Sequence, residues 1–249
     1  MSILIIIGYF LALLIGISLG LLGAGGSILT VPVLTYLFKM PITEAIPASL
    51  LIVGSTSFLA SINQWKQGNI KIKESIQFLI FSSLGTLIGV KLAPLIMPQV
   101  RLYIFILLMI IAGFKMLTDK GNQVNIEIKN LKSLLIIIAV LVGILTGLVG
   151  IGGGFMIVPA LSILLFFPIK NAIASSLLII TVNAFTGLLG YLGQVSFAWD
   201  KLILFIILTF LGSLIAIPLS QKVKSASLKK YFAVFLLFVS CFMLWKEIF

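Results

Sequence analysis

Two short glycine-rich segments interrupt an otherwise apolar sequence, and their composition suggests a chemical role. They are Gly23-Ala-Gly-Gly-Ser27 and Gly150-Ile-Gly-Gly-Gly154. Glycine lets the backbone leave a helix, and each segment precedes a short apolar stretch that predicts a new helix. The first N–H groups of such a helix have no intrahelical partner and carry the positive end of the helix dipole, so each segment predicts an anion-binding site. Close helix packing is the alternative, and it is the favoured explanation for four glycines spaced by four residues: Gly16, Gly20, Gly143 and Gly147.

Hydroxyl and amide side chains form a stripe on the helix predicted after each short helix. Ser49, Thr56 and Asn63 are spaced by seven residues and therefore share one face. Ser176 and Asn183 have the same spacing in the second half of the chain. Neutral donors on these faces could complete an anion site beside the glycine segments. The alternative is that the hydroxyls bond to carbonyls of their own helices.

The six carboxylates are not placed as a proton-coupled or cation-coupled transporter requires, because such a transporter usually keeps an acid within the membrane. None lies centrally in an apolar stretch, and only Glu44, at the start of a predicted helix, is a weak candidate. An anion exporter needs no such acid. Each negative charge that leaves a cell with a negative interior gains about 2.3 kcal/mol per 100 mV, so the membrane potential alone could drive efflux.

The overall composition excludes a soluble or a disordered protein. Of 249 residues, 61% are hydrophobic and 9% are charged, against roughly a quarter charged in soluble domains. The chain has no His and one Cys, Cys241, so the sequence predicts no metal site and no cofactor. The net charge of +11 comes mainly from Lys residues at the ends of apolar segments, which favours anionic lipid headgroups over nucleic acid.

Apolar segments of about 20 residues recur along the chain, as membrane-spanning helices require. They predict an all-α polytopic protein of the cell membrane. A polar linker at 119–131 separates a first transmembrane repeat, 1–118, from a second, 132–249. Two shorter apolar stretches, 27–38 and 154–167, follow the glycine segments. The eight predicted spans are 3–22, 44–64, 75–97, 99–118, 132–150, 171–192, 201–221 and 228–248.

The two halves are related by an internal repeat of 127 residues. Gly20–Leu34 aligns with Gly147–Leu161, and the register continues without a gap. From position 20 to position 50, 15 of 31 residues are identical to those 127 positions later, including four glycines and two prolines. Each repeat therefore has four predicted transmembrane helices and a short broken or re-entrant helix. Internal repeats of this kind are typical of secondary transporters.

The distribution of Lys and Arg favours inverted over parallel repeats. If the short helices only dip into the membrane, eight segments span it and the cations divide nine to eight between its faces. If the short helices cross, ten segments place twelve cations on one face and five on the other, as the positive-inside rule requires. Five crossings in each repeat make the repeats inverted and put both termini outside. The five outer cations would be Lys39, Lys91, Arg101, Lys201 and Lys246.

The doubled glycine motif resembles that of the TauE/SafE sulfite exporter family, also called the 4-toluene sulfonate uptake permease family. The segments Ala45–Leu50 and Ala172–Leu177, and later Gln67–Ile70 and Gly193–Ser196, are similar to the same family. The resemblance covers essentially the whole chain and implies transport of small sulfur-containing anions across the plasma membrane. It also implies that six residues of the glycine motifs lie near the substrate: Gly25, Gly26, Ser27, Gly152, Gly153 and Gly154.

Together these features predict a secondary transporter that exports a small anion, such as sulfite or an organosulfonate, by alternating access. The anion would be held at the N-termini of the short helices, with donors from the stripe beside it: Ser49, Thr56, Ser176 and Asn183. The expected partners are this substrate and the lipid bilayer. The sequence leaves open whether the chain forms a homo-oligomer. A passive anion channel and a membrane subunit without transport activity are the alternatives, and a membrane enzyme is the least favoured class.

Overall fold

The computed structural model describes residues 3–23, 25–118, 128–149, 154–191, 193, 197–222 and 225–248. These residues form helices joined by turns, and no strand occurs among them. The prediction of an all-helical chain is therefore confirmed. Two predicted site residues, Gly152 and Gly153, lie outside the described residues, as does most of the predicted linker.

The described residues form ten α-helices, with one 3-10 turn at Ala93–Leu95 after the fourth. In chain order the helices are α1 (Ile3–Leu22), α2 (Gly25–Tyr36), α3 (Ile42–Lys66), α4 (Ile72–Leu92), α5 (Pro98–Thr118), α6 (Ile128–Val149), α7 (Gly154–Leu164), α8 (Ile169–Tyr191), α9 (Trp199–Lys222) and α10 (Ser225–Ile248). Each of the eight predicted spans agrees with one helix to within five residues at either end. Six helices, α1, α3, α4, α5, α8 and α9, are long and apolar enough to cross a membrane, so the chain is a multi-pass membrane protein.

The two short helices, α2 and α7, have 12 and 11 residues and end in the same way. Lys39 and Phe166, which lie 127 positions apart, follow these helices with positive φ angles of 54° and 51°. The next residues, Met40 and Phe167, donate their N–H groups back to carbonyls of the short helix at 3.1 and 3.2 Å. Left-handed residues with such backward bonds are common caps at helix C-termini. Each cap turns the chain into the long helix that follows.

The first helix of each half packs against the fourth helix of the other half. Thus α1 lies along α9, and α6 lies along α4. Glycines allow both contacts to be close. A Cβ on Gly16 would overlap the Thr209 carbonyl of α9, and a Cβ on Gly143 would overlap the Ser82 carbonyl of α4. Gly20 and Gly147 face the same partner helices. The packing explanation for these four glycines is confirmed.

The helices α3 and α8 pack on each other and form the centre of the molecule. Most of each is buried, whereas only about a third of α1 and of α9 is. Around this pair, α4 contacts α8 and α9 contacts α3, while α5 and α10 pack together. The stripe predicted from the sequence therefore lies on the two most enclosed long helices.

Candidate functional site

The helix α2 begins inside the protein. Gly26 and Ser27 are in its first turn, and both are buried. Gly26 lies against α1, since a Cβ at this position would overlap the Ile15 carbonyl. This contact gives Gly26 a packing role where α2 folds back along α1. The helix starts at Gly25, and the N–H groups of its first turn have no carbonyl of the same helix to bond.

Gly23 connects α1 to α2 and lies against α8 of the other half. Its φ of 74° is in the left-handed region, which glycine adopts without steric cost. A Cβ on Gly23 would lie 2.8 Å from the Ser176 Oγ and 2.9 Å from the Ile173 Cγ2. The first glycine segment and a hydroxyl of the stripe are therefore neighbours, although they come from different halves of the sequence.

The hydroxyls of Ser49 and Ser176 donate within their own helices. Ser49 Oγ donates to the Ile46 carbonyl at 2.7 Å, and Ser176 Oγ donates to the Ile173 carbonyl at 2.8 Å. This is the arrangement that the alternative explanation for the stripe predicts. A serine has one hydroxyl proton, so each of these side chains must rotate before it can donate to an anion. Both are fully buried.

Thr56 and Asn183, at equivalent positions of the repeat, each bond to a helix of the other half. Thr56 Oγ1 lies 3.1 Å from Thr209 Oγ1 of α9 and also donates to a carbonyl of its own helix at 2.8 Å. Asn183 Oδ1 accepts hydrogen bonds from Ser82 Oγ and Ser83 Oγ of α4, each at 3.0 Å. Ser82 and Thr209 lie 127 positions apart, so the two contacts occupy equivalent places with different chemistry.

Asn183 keeps a donor that the described residues do not use. The side chain is fully buried, and its Nδ2 has no hydrogen-bond partner among them. Leaving a buried donor unpaired costs about 1–3 kcal/mol, so such a group usually has a ligand, a water or a functional reason. Ser57 Oγ on α3 is also buried and has no hydrogen-bond partner in the described part of the chain. At least two buried polar groups of the central helix pair are therefore unpaired among the described residues.

Comparison with known protein families decides the class of this chain. Residues 8–243 match the model of the family described as "Sulfite exporter TauE/SafE". The chain belongs to this family. The matched TauE/SafE region includes both glycine segments and every residue of the stripe.

Proteins similar to this TauE/SafE member are named as membrane transporters. A "Probable membrane transporter protein" of Xylella fastidiosa is 30% identical over 241 residues, covering 94% of this chain and 92% of the relative. "Probable membrane transporter protein YdhB" of Bacillus subtilis is 29% identical over 230 residues, covering 90% and 92%. "Probable membrane transporter protein YunE" of the same organism is 27% identical over 264 residues, covering 96% and 97%. No solved structure matches the chain. The family and these relatives are described as transporters and not as enzymes.

The contacts described above do not include the remaining residues singled out in the sequence, two of which lie outside the described residues. Gly154 is buried at the first position of α7, while Gly152 and Gly153 are not described. Asn63, the third residue of the stripe, accepts a hydrogen bond from Gln67 at the exposed end of α3 at 3.3 Å. Glu44 is in the first turn of α3 and is partly exposed.

Sequence reasoning missed three hydroxyls of this TauE/SafE member that contact the stripe, namely Ser82, Ser83 and Thr209. The signal that could have found two of them is the repeat itself. Extending the register to α4 and α9 aligns Ser82 with Thr209 and Gly85 with Gly212. Hydroxyl and glycine at matching places on the fourth helix of each half indicate a shared packing surface.

Proposed function

We propose that this TauE/SafE member exports small sulfur-containing anions, such as sulfite or organosulfonates, across the plasma membrane by alternating access. The contact between Gly23 and Ser176 carries the proposal, because it places the start of α2 beside a hydroxyl of α8 in the buried centre. N–H groups at a helix start favour an oxyanion. In transporters such helix starts are found at substrate sites between two repeats.

The proposed substrate contacts come from both halves. The N–H groups of Gly25, Gly26 and Ser27 at the start of α2 would donate to the oxyanion, as would the Ser27 hydroxyl. Ser176 of α8 would rotate from the Ile173 carbonyl to donate to the same anion. By the repeat, Gly152, Gly153 and Gly154 would meet Ser49 in the same way. Thr56 and the Nδ2 of Asn183 would complete an asymmetric site.

The movement we propose is a rocking of one repeat against the other. Each repeat packs its first helix against the fourth helix of the other repeat, with α1 on α9 and α6 on α4. Two repeats related by a twofold axis would pack in this way. With ten crossing segments these repeats are inverted, both termini lie outside, and the outward-open and inward-open states are of similar energy. The negative interior then favours export of an anion, by about 2.3 kcal/mol per charge and 100 mV.

Ligand-dependent stability of the purified protein tests this proposal. Wild type, Ser27→Ala and Ser176→Ala would be heated in detergent with sulfite, sulfate, thiosulfate, sulfoacetate, taurine, phosphate or chloride at equal ionic strength. A ligand that binds only the folded state raises Tm by mass action. Ser55→Ala is the matched control, because Ser55 is half-buried on α3 and its hydroxyl donates to the Leu51 carbonyl of its own helix. Gly26 is unsuitable for substitution because a side chain there collides with α1.

We expect saturable stabilisation of wild type and Ser55→Ala by a sulfur oxyanion, and a weaker effect for Ser27→Ala and Ser176→Ala. Equal stabilisation of all four proteins would contradict the proposed site. No selective stabilisation of wild type would favour a channel with weak binding or a subunit without transport activity.

A further inference from the structure

A cavity between helix ends holds Arg101, the single arginine of the chain, which the proposed central site does not use. Arg101 lies in the first turn of α5 and is 7% exposed. The ends of α2, α3, α5, α6 and α10 surround a small cavity of about 30 Å³, which is partly open to the surface. Apart from Arg101, Thr35 and Tyr36, the lining side chains are apolar.

The guanidinium of Arg101 has more donors than its surroundings use. Among the described residues its hydrogen-bond acceptor is the Leu148 carbonyl, which Nη1 reaches at 3.4 Å, while Nε is buried without a partner. The first turn of α5 has no acidic residue, and the positive end of the helix dipole opposes a cation there. A buried charge in this position is costly unless an anion compensates it.

Thr35 supplies a second unused group in the same cavity. Its Oγ1 is buried and has no hydrogen-bond partner among the described residues. A guanidinium and a hydroxyl can together donate to several oxygens of one oxyanion. Arginine suits this task better than lysine, because its planar fork matches two oxygens at once. All other cations of the chain are lysines, so the chain carries a guanidinium group at this position alone.

We propose that Arg101 and Thr35 form a second oxyanion-binding site, which receives the head group that sulfite and organosulfonates share. This inference rests on the proposed function. Val149, which lines the cavity, directly precedes the second glycine segment in the sequence. In the inverted topology these helix ends face outside. The cavity is then the last binding position of an anion before release.

A purely structural role for Arg101 makes different predictions. The Leu148 carbonyl belongs to the last turn of α6, and a cation there stabilises the end of a helix. If capping were its only role, Arg101→Gln would lower the Tm of the ligand-free protein and leave the increment caused by an anion unchanged. Arg101→Lys would restore the ligand-free Tm.

The test measures binding and transport separately on the full chain. Anion-dependent Tm shifts with sulfite, methanesulfonate or chloride at equal ionic strength give apparent affinities in detergent, and efflux from liposomes gives transport. The variants are Arg101→Gln, Arg101→Lys, Thr35→Val and Thr35→Ser. The matched control is Lys91→Gln, which removes an exposed cation assigned to the same membrane face.

We expect Arg101→Gln to weaken sulfite or methanesulfonate binding by about tenfold or more, because charge-assisted hydrogen bonds are the strong ones. Thr35→Val should weaken it less, while Thr35→Ser and Lys91→Gln keep the wild-type affinity. Stabilisation by methanesulfonate alone would show that the site is specific for organosulfonates. Stabilisation by both sulfite and methanesulfonate would show that it binds the head group that the two share. If Arg101→Gln fails to fold, the anion affinities of Thr35→Val and Thr35→Ser are compared instead. A weaker affinity in Thr35→Val alone supports the second site.

Unchanged affinity in Arg101→Gln or in Thr35→Val, or equal stabilisation by chloride, would overturn the second site. If wild type still transports in that case, the proposed function stands and only the Arg101 site is wrong. Absence of both binding and efflux in wild type would instead refute the proposed function, and the second site with it.

Discussion

A Cβ placed on Gly23 would lie 2.8 Å from the Ser176 Oγ, so the turn before α2 packs directly against the long central helix α8. The two residues belong to different halves of the chain. Their contact joins the glycine segment, which can expose backbone N–H groups, to a hydroxyl within the most buried helix pair.

The first prediction concerns the backbone at this contact. Gly23→Ala should destabilise the protein more than Gly68→Ala, measured as the loss of Tm in detergent. Both glycines have positive φ, 74° and 70°, so both changes cost the left-handed strain of about 1–2 kcal/mol. Only Gly23 has neighbours that a Cβ would meet, whereas nothing lies within 4 Å at Gly68. Equal losses of Tm would contradict the contact with α8.

The second prediction concerns the close packing of α6 on α4. Gly143→Ala would push a methyl group into the Ser82 carbonyl, which cannot move as a flexible side chain can. Overpacking typically costs about 1–3 kcal/mol, so we expect a marked loss of folded protein by size-exclusion profile and Tm. Gly54→Ala is the control, because its nearest neighbour would be the Ala184 Cβ at 3.2 Å. A Tm of Gly143→Ala as high as that of Gly54→Ala would show that the helices are further apart.

The third prediction concerns the free amide of Asn183. Asn183→Thr keeps an oxygen for Ser82, as Thr56 does for Thr209. It removes the Nδ2, which has no partner among the described residues. We expect Tm to stay close to wild type, while the affinity for the transported anion falls about tenfold because a hydrogen bond to a charge is lost.

The control for this variant is Thr181→Val, which removes another buried hydroxyl of α8 that bonds its own Leu177 carbonyl. It should leave the affinity unchanged. A wild-type affinity in Asn183→Thr would mean that the Nδ2 does not reach the substrate.

The fourth prediction concerns the relation between the repeats. In a Cys241→Ser background, Lys39→Cys and Phe166→Cys place a thiol at the equivalent turns after α2 and α7. Inverted repeats put these turns on opposite faces, so a membrane-impermeant maleimide added to intact cells should label position 39 and not position 166. Permeabilised cells provide the control for reactivity at both positions. Labelling of both from outside, or of neither, would instead support eight spans.

The positions of the helices could be predicted from the sequence because apolar length determines them. The spans 3–22 and 99–118 differ from α1 and α5 by at most one residue. The spacing of Gly16 and Gly20 also indicated a packing role correctly, since close helix contact in membranes depends on small residues. These are local properties that a single stretch of sequence contains.

The partners of the site residues could not be predicted in this way. Thr56 contacts Thr209, and Asn183 contacts Ser82, across elements that no local pattern connects. Arg101 counted as one of five outer cations in the sequence, yet the structure buries it between helix ends. Arg101 is the single arginine among the 17 cations, and no other feature of the sequence distinguishes it. Burial of a charge is set by the packing of distant helices, which the sequence alone does not specify.

The most direct test of the proposed transport is sulfite exchange in liposomes that contain the purified protein. Efflux of labelled sulfite would be measured with and without external unlabelled sulfite, for wild type, Ser176→Ala and the control Ser55→Ala. We predict saturable efflux that external sulfite accelerates, and about a tenfold loss of apparent affinity in Ser176→Ala alone. Efflux that rises linearly with concentration and ignores external sulfite, or no efflux above protein-free liposomes, would contradict a carrier that binds the anion beside Ser176.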